Sequence, residues 1–117
     1  MSIIQTKNGI CVMSSWDLAK LLQVSHKQIH IIITNFRPHL LEVTKVLSND
    51  PFEKYFRMGK RGHPVIEVFC EANQVKYLIL FLGAHGCRII KAKKFVLSNA
   101  ELEDYAFFDA LIGLWPD

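Results

Sequence analysis

The spacing of apolar positions in the first third of the chain predicts two short helices. A strand near the start of the chain is followed by Ser14 and Ser15, where a serine oxygen can accept a hydrogen bond from an otherwise unsatisfied backbone N–H, and the first helix ends near Leu22. The second helix begins after Ser25 and ends before Pro38, because the residue before a proline disfavours helical conformation. Its buried face is predicted by four apolar residues at helical spacing, Ile29, Ile32, Ile33 and Phe36.

After residue 52 the pattern changes to that of a β-hairpin. Residues 55–58 and 63–69 are rich in aromatic and β-branched side chains, which favour strands. Residues 59–62, Gly-Lys-Arg-Gly, form the predicted turn between them, because two glycines permit positive φ. One or two turns of helix are predicted before this hairpin, over residues 40–47.

Three helices are predicted after the hairpin. The first covers residues 75–82 and ends at Gly83 in a left-handed cap, and the second covers residues 86–96. Residues 98–101, Ser-Asn-Ala-Glu, match a capping box and predict either a new helix or a kink in a continuing one, extending to about Leu111.

The charge of the chain is unevenly distributed. Residues 1–94 contain all 14 lysines and arginines against 6 acidic residues, a balance of +8, whereas residues 95–117 contain 5 acidic residues and no lysine or arginine. A basic body suggests a polyanionic partner, although a charged run is more often a solvated face. A chain of 117 residues that is 50% apolar predicts one compact domain, composed of a body (residues 1–97) and an acidic, apolar C-terminal helix (residues 98–117).

The cysteines and the apolar segments favour a cytoplasmic protein. Cys11, Cys70 and Cys87 are odd in number and contain no Cys-x-x-Cys pair, so neither a disulfide framework nor a zinc ribbon is predicted. The N-terminus lacks the pattern of a secretory signal, and the longest apolar stretch, residues 77–84, is too short to cross a bilayer. We therefore expect no membrane partner.

Two short helices joined by a three-residue turn match a helix-turn-helix, whose second helix lies in the DNA major groove. Ala19 suits the point where the two helices cross, and Gln23 occupies the turn position that often carries glycine, where another residue would have to accept positive φ. Many small helical domains contain a similar pair of helices, so this pattern alone leaves a purely structural interpretation open.

The polar residues of the second helix are the candidate DNA-reading surface. They are Ser25, His26, Lys27, Gln28, His30 and Thr34. Gln28 suits adenine, and Lys27 suits guanine or a phosphate. Ser25 would bind a phosphate oxygen at the positive end of the helix, and Ile31, which lies outside the buried stripe, suits a thymine methyl group.

The predicted hairpin turn adds a second cationic element. Lys60 and Arg61 lie at its tip, and Arg57 and His63 lie beside it. As the wing of a winged helix this turn would contact phosphates or the minor groove, whereas such a turn on its own is more often solvated. Together the features predict an α+β, winged-helix-like fold, a helix-turn-helix plus a β-hairpin wing with C-terminal helices, that binds double-stranded DNA as a dimer.

The sequence predicts no enzyme, metal site or cofactor. His26 and His30 have metal-ligand spacing, but no third ligand is near in sequence. The chain has no phosphate-binding glycine loop, no Gly-x-Ser-x-Gly motif and no His-Glu-x-x-His motif. Glu67 and Glu71 lack a partner base and are expected to be surface charges.

The apolar residues of the C-terminal segment have two possible roles. They are Leu102, Tyr105, Ala106, Phe108, Leu111, Leu114 and Trp115. An apolar surface that the small body does not cover would favour a homodimer or a docking site for another protein. Alternatively, these residues close the core. The sequence leaves both open.

In the order and spacing of these features, the chain resembles the Rha family of phage regulatory proteins. The resemblance rests on five segments, residues 12–21, 26–36, 56–69, 75–83 and 86–96, and spans about residues 10–105. The family usually has Thr-Gly after the apolar helix, where this chain has Ala-His-Gly at residues 84–86. The acidic tail is also peculiar to this chain.

The resemblance implies a temperate-phage or prophage protein that acts in a bacterial host, with a winged-helix-like DNA-binding domain and a role in transcription regulation. An alternative of a different class is an antirepressor or host-factor-binding module, which would bind a host or phage protein through the same surface or through the tail. Neither role involves a catalytic residue.

Overall fold

The computed structural model describes residues 3–7, 9–36, 38, 54–58, 64–83 and 86–115, and for residues 7, 54–58 and 64–67 it describes the backbone. The protein is α+β. Its elements are β1 (Ile4–Lys7), β2 (Ile10–Ser14), α1 (Ser15–Leu22), α2 (His26–Asn35), β3 (Lys54–Met58), β4 (Pro64–Glu71), α3 (Ala72–Phe81), α4 (Cys87–Ser98) and α5 (Asp104–Ile112).

The described strands form one antiparallel sheet in the order β1-β2-β4-β3. β1 and β2 form a hairpin in which Lys7 pairs with Ile10 and Gly9 has a φ of 77°. β2 also pairs with the end of β4, where Ser14 lies opposite Phe69. The chain therefore leaves the sheet after β2, forms α1 and α2, and returns to the same sheet with the hairpin of β3 and β4.

The two predicted helices of the first third are confirmed with their caps. Ser14 caps α1, because its side chain accepts a hydrogen bond from the Trp16 N–H at 3.2 Å. Ser25 caps α2, and α2 ends at Asn35, before the proline, as the sequence predicts. Gln23 adopts the left-handed conformation, with φ 58° and ψ 44°, which confirms the expected positive φ in the turn.

Replacing Gln23 with glycine is expected to stabilise the protein. A left-handed residue with a side chain costs about 1–2 kcal/mol, and the added freedom of glycine in the unfolded chain offsets about half of that, so unfolding in urea should require about 0.5–1 kcal/mol more free energy. Lys94→Gly is the control, since Lys94 is exposed in the middle of α4. It should lose about 1 kcal/mol. A loss of stability in both variants would contradict the interpretation of the turn.

One hydrophobic core connects the sheet with all five described helices. Met13, Val68 and Cys70 project from β2 and β4 and are fully buried. The helices cover this face with Leu18, Ile29, Leu78, Ile89 and Phe107, each at most 2% exposed. α2 and α3 are further joined by the stacked rings of Phe36 and Phe81, whose centroids lie 4.2 Å apart.

Two predictions about α3 are wrong. The helix begins at Ala72 because Glu71 and Gln74 form a capping box, in which the Glu71 N–H donates to Gln74 Oε1 at 2.9 Å. Glu71 is therefore not a surface charge but is 3% exposed. Gly83 does not form a left-handed cap: the chain leaves α3 at Leu82 in an extended conformation, with φ −65° and ψ 142°.

The neighbouring Cys70 lies in the core, where its thiol is fully buried. Burial, and secondarily the negative charge of Glu71, raises its pKa to about 12. The thiol is therefore protonated at neutral pH and unreactive as a nucleophile.

The predicted start of the last helix is also wrong. Ser98 is the last residue of α4, and Asn99 ends this helix by donating from Nδ2 to the Phe95 carbonyl at 3.1 Å. α5 begins at Asp104, five residues after Asn99 in the chain, and continues to Ile112. The predicted helix over residues 40–47 and the predicted turn over residues 59–62 lie outside the described residues.

Candidate nucleic-acid interface

The orientation of α2 determines which side chains face outward. Ile29, Ile32 and Ile33 are 0%, 9% and 3% exposed, so the predicted apolar stripe anchors the helix in the core. Because residues on a helix are 100° apart, the positions opposite this stripe are those of Lys27, Ile31 and Thr34, which are all exposed. We call these three residues the outer stripe.

Ser25 and Gln28, two predicted reading residues, bind each other. The Gln28 N–H donates to Ser25 Oγ at 3.3 Å, and the Ser25 N–H donates to Gln28 Oε1 at 3.1 Å, which completes a capping box. Both side chains are exposed. Adenine recognition by Gln28 uses the amide oxygen and nitrogen together. Gln28 would therefore have to share its amide oxygen between Ser25 and an adenine to read the base in this way.

His26 lies at the junction of α1, α2 and β4. Its ring stacks on Trp16 with 3.9 Å between the centroids and 1° between the planes. Its Nε2 atom lies 2.8 Å from Ser15 Oγ, which also accepts a hydrogen bond from the buried Val68 N–H at 3.1 Å. The Ser15 proton is then available to Nε2 in the tautomer protonated on Nδ1. This ring therefore connects α2 to α1 and to the sheet.

His30 and Thr34 are the remaining predicted reading residues on the second half of α2. The His30 ring is half-buried, 6.3 Å from the His26 ring, so both histidines lie on the same flank of the helix. Thr34 is exposed, and its Oγ1 donates to the His30 carbonyl at 3.0 Å. Lys27 therefore extends from the outer stripe as an exposed cation, whereas the hydroxyl of Thr34 is bonded within the helix.

The structure describes only part of the predicted wing. Its two strands are present as β3 and β4, and Met58 pairs with Pro64 at the end where the turn joins them. The backbone of Arg57 lies in β3 opposite Val65. The predicted contact residues Lys60 and Arg61 lie outside the described residues.

Three cations of α4 bind carbonyl groups at the ends of other helices. Arg88 donates from Nη1 to the Leu21 carbonyl at 3.0 Å, and its guanidinium lies 5.2 Å from the centre of the Trp115 ring. The other two contacts are from Lys91 Nζ to the Leu114 carbonyl, at 2.9 Å, and from Lys93 Nζ to the Leu82 carbonyl.

The positions of these carbonyls explain the contacts. They lie at or just beyond the C-termini of α1, α5 and α3, where unsatisfied carbonyls and the helix dipole attract positive charge. α4 thus stabilises the ends of three helices. The net positive charge of residues 1–94 therefore overstates how many α4 cations are available to bind a polyanion. The exposed Lys94 is the α4 cation for which no such contact is described.

A groove lies beside the outer stripe, on the side where α2 meets the end of α3. It has a volume of about 280 Å³ and is lined by Gln28, Ile31, Ile32, Phe81, Leu82 and Gly83. The histidines lie on the opposite flank of α2, toward β4. The two flanks of the helix therefore differ in chemistry, since one is aromatic and polar and the other is largely apolar.

The C-terminal segment contributes to the core. Phe107, Phe108 and Leu111 are 0% exposed, whereas Tyr105 is 58% exposed. Trp115 is half-buried against Arg88. The inner face of α5 thus closes the core, which is one of the two roles that the sequence leaves open. Association through the outer face of α5 stays a prediction.

Among the described residues, no three or more His, Cys, Asp or Glu side chains are grouped so that they could hold a metal ion. Within the same residues, no helix has the length and apolar character needed to span a membrane. No family model matches the chain, and neither a curated protein nor a solved structure matches it. The resemblance to the Rha family therefore stays a prediction.

Proposed function

We propose that the protein is a phage or prophage transcriptional regulator of the Rha type that binds duplex DNA. The observation that carries this proposal is the geometry of α1, its turn and α2. The left-handed Gln23 joins the two helices at a three-residue turn, and the buried isoleucines of α2 direct the outer stripe away from the core. In such an arrangement a recognition helix would present its outer face to a major groove.

The topology of the sheet supports a winged-helix-like fold. β2 precedes the helix pair, and the hairpin of β3 and β4 follows it, with β4 paired to β2 in the order β2-β4-β3. In a winged helix the wing hairpin returns in this way to the strand that precedes the helix pair. The predicted tip residues Lys60 and Arg61 would then extend from the sheet beside the recognition helix.

We assign each predicted site residue a role in binding duplex DNA. Lys27 and the wing residues Arg57, Lys60 and Arg61 neutralise phosphates, which supplies affinity for any duplex. The outer stripe and the exposed N-terminus of α2, with Ser25 and Gln28, face the base edges. His26 holds α2 against α1 and β4, and the half-buried His30 lies on the same flank of α2 as His26. No cofactor takes part.

Binding of duplex DNA is expected to weaken steeply with salt, because each neutralised phosphate releases counterions. Lys60→Ala combined with Arg61→Ala should weaken binding to every sequence and reduce the slope of log affinity against log salt by about 2. Fluorescence anisotropy with labelled duplexes at several salt concentrations measures both effects. Lys94→Ala is the matched control, because Lys94 is exposed on α4. Equal effects of the control and the wing variants would contradict the role of the wing.

A second candidate, an antirepressor or host-factor-binding module, is favoured by one observation on α4. Leu97 is 70% exposed and Ile90 is 45% exposed, and DNA binding accounts for neither. A pull-down from host lysate with and without nuclease separates the two candidates. A partner that is captured after nuclease treatment and lost with Leu97→Ser, from a protein that binds no duplex, would support the second candidate.

A further inference from the structure

The centre of the outer stripe is an apolar residue. Ile31 is 45% exposed and lies four residues after Lys27 and three before Thr34. The packing of α2 does not require an isoleucine there, because Ile29, Ile32 and Ile33 already fill its core side. A large apolar side chain among polar neighbours, on the face that is proposed to enter the major groove, suggests a contact with an apolar group.

The polar side chains around Ile31 are engaged within the protein. Gln28 Oε1 accepts from the Ser25 N–H, and Thr34 Oγ1 donates to the His30 carbonyl. His26 Nε2 bonds to Ser15 Oγ. Base recognition through these atoms would compete with hydrogen bonds that already exist. The methyl groups of Ile31 need no such exchange.

The major groove offers one apolar group to such a side chain. Thymine carries a methyl group on C5, and the cytosine edge at the same position lacks it. We propose that Ile31 determines specificity by packing against the C5 methyl group of a thymine, with the Lys27 ammonium on a neighbouring guanine or phosphate. This inference rests on the proposed DNA-binding function, and it assigns one specific base contact to Ile31.

A protein partner is the competing occupant of this face, because the groove of about 280 Å³ beside Ile31 is also lined by Phe81 and Leu82. The observations favour DNA. On the outer stripe Ile31 lies between Lys27, an exposed cation, and Thr34, an exposed residue with a hydroxyl group. This combination suits the mixed polar and apolar base edges of a major groove.

The test removes the thymine methyl group and the isoleucine separately. The full-length protein first selects its preferred sequence from a random duplex library. Each thymine of the selected duplex is then replaced by deoxyuridine, which lacks only the C5 methyl group, and affinities are measured by anisotropy at one salt concentration. The variants are Ile31→Ala and the matched control Ile90→Ala, since both isoleucines are 45% exposed on helices.

For the wild type, deoxyuridine at one position should weaken binding about fourfold, the value of one buried methyl group. Ile31→Ala should bind the thymine and deoxyuridine duplexes equally at that position, while Ile90→Ala keeps the fourfold difference. Salt-dependent binding without any thymine dependence, or a dependence that persists in Ile31→Ala, overturns the inference and leaves the proposed function intact. Failure of the wild type to bind any duplex overturns both.

Discussion

Replacing Phe107 with alanine is expected to lower the free energy of unfolding by about 3–5 kcal/mol, the usual cost of removing a fully buried aromatic ring. Phe107 is 0% exposed. Its ring meets that of Phe108 edge-on at 5.6 Å and that of Phe95 at 5.7 Å, and Lys76 Nζ lies 5.3 Å from its centre. Truncation to alanine would remove these contacts together and leave a cavity. Urea unfolding monitored by circular dichroism measures the loss of unfolding free energy.

The matched control for Phe107→Ala is Tyr105→Ala in the same helix. Tyr105 is 58% exposed, so its truncation should change stability by no more than about 0.5 kcal/mol. The comparison separates the two roles that the sequence leaves open for the C-terminal segment. If α5 served association alone, Phe107→Ala would change the oligomeric state measured by light scattering and leave the unfolding free energy of the monomer unchanged.

Single domains have an unfolding free energy of only about 5–15 kcal/mol, so the loss expected for Phe107→Ala is a large share of the total. The buried side of α5 is therefore a condition for folding of the body, in contrast to a detachable tail. Any partner of the C-terminal segment has to use its exposed residues, such as Tyr105 and Ala106.

The helices α1 and α2 and the turn between them could be predicted from the sequence because local signals determine them. Serine caps, a proline stop and the spacing of the isoleucines fix the limits of α1 and α2, and these signals act over only a few residues. The left-handed Gln23 follows from the same reasoning, since a three-residue turn between two helices requires one such residue. The strands β3 and β4 follow from their side chains and from the glycines between them.

Other features depend on contacts between distant parts of the chain. The sequence shows four cations on α4, but not that Arg88, Lys91 and Lys93 meet the ends of other helices, because tertiary packing sets the positions of those carbonyls. The capping-box pattern at residues 98–101 is a valid local signal that the structure does not use, since α4 continues through Ser98. Gly83 follows an extended Leu82, so its freedom to adopt positive φ is not needed.

The sequence predicts where the candidate site lies better than it predicts which contacts the side chains of that site make. Spacing alone identifies the exposed face of α2, and Lys27, Gln28 and Thr34 lie there. Spacing does not reveal that His26 is stacked on Trp16 and bonded to Ser15, because both partners belong to α1, on the other side of the turn. A signal was present in the sequence, since the two consecutive serines at positions 14 and 15 exceed the one needed for the cap of α1.

Replacing Ser15 with alanine is expected to lower the free energy of unfolding by about 1–3 kcal/mol, because it leaves a buried N–H without its acceptor. Ser15 is 0% exposed, and its Oγ accepts from the Val68 N–H while it bonds to His26 Nε2. Ser98→Ala is the control, since Ser98 is exposed at the end of α4 and should change stability by less than about 0.5 kcal/mol.

A double-mutant cycle distinguishes the hydrogen bond to His26 from the one to Val68. If Ser15 and His26 act together, the losses in Ser15→Ala and His26→Ala should not add, and a coupling energy of about 0.5–3 kcal/mol is expected for residues in contact. Simple additivity would mean that Ser15 serves only β4. Coupling would mean that the same hydroxyl fixes α2 relative to the sheet that contains β3 and β4. In that case Ser15→Ala should also weaken duplex binding under conditions where the variant is fully folded, although this buried serine can touch no DNA.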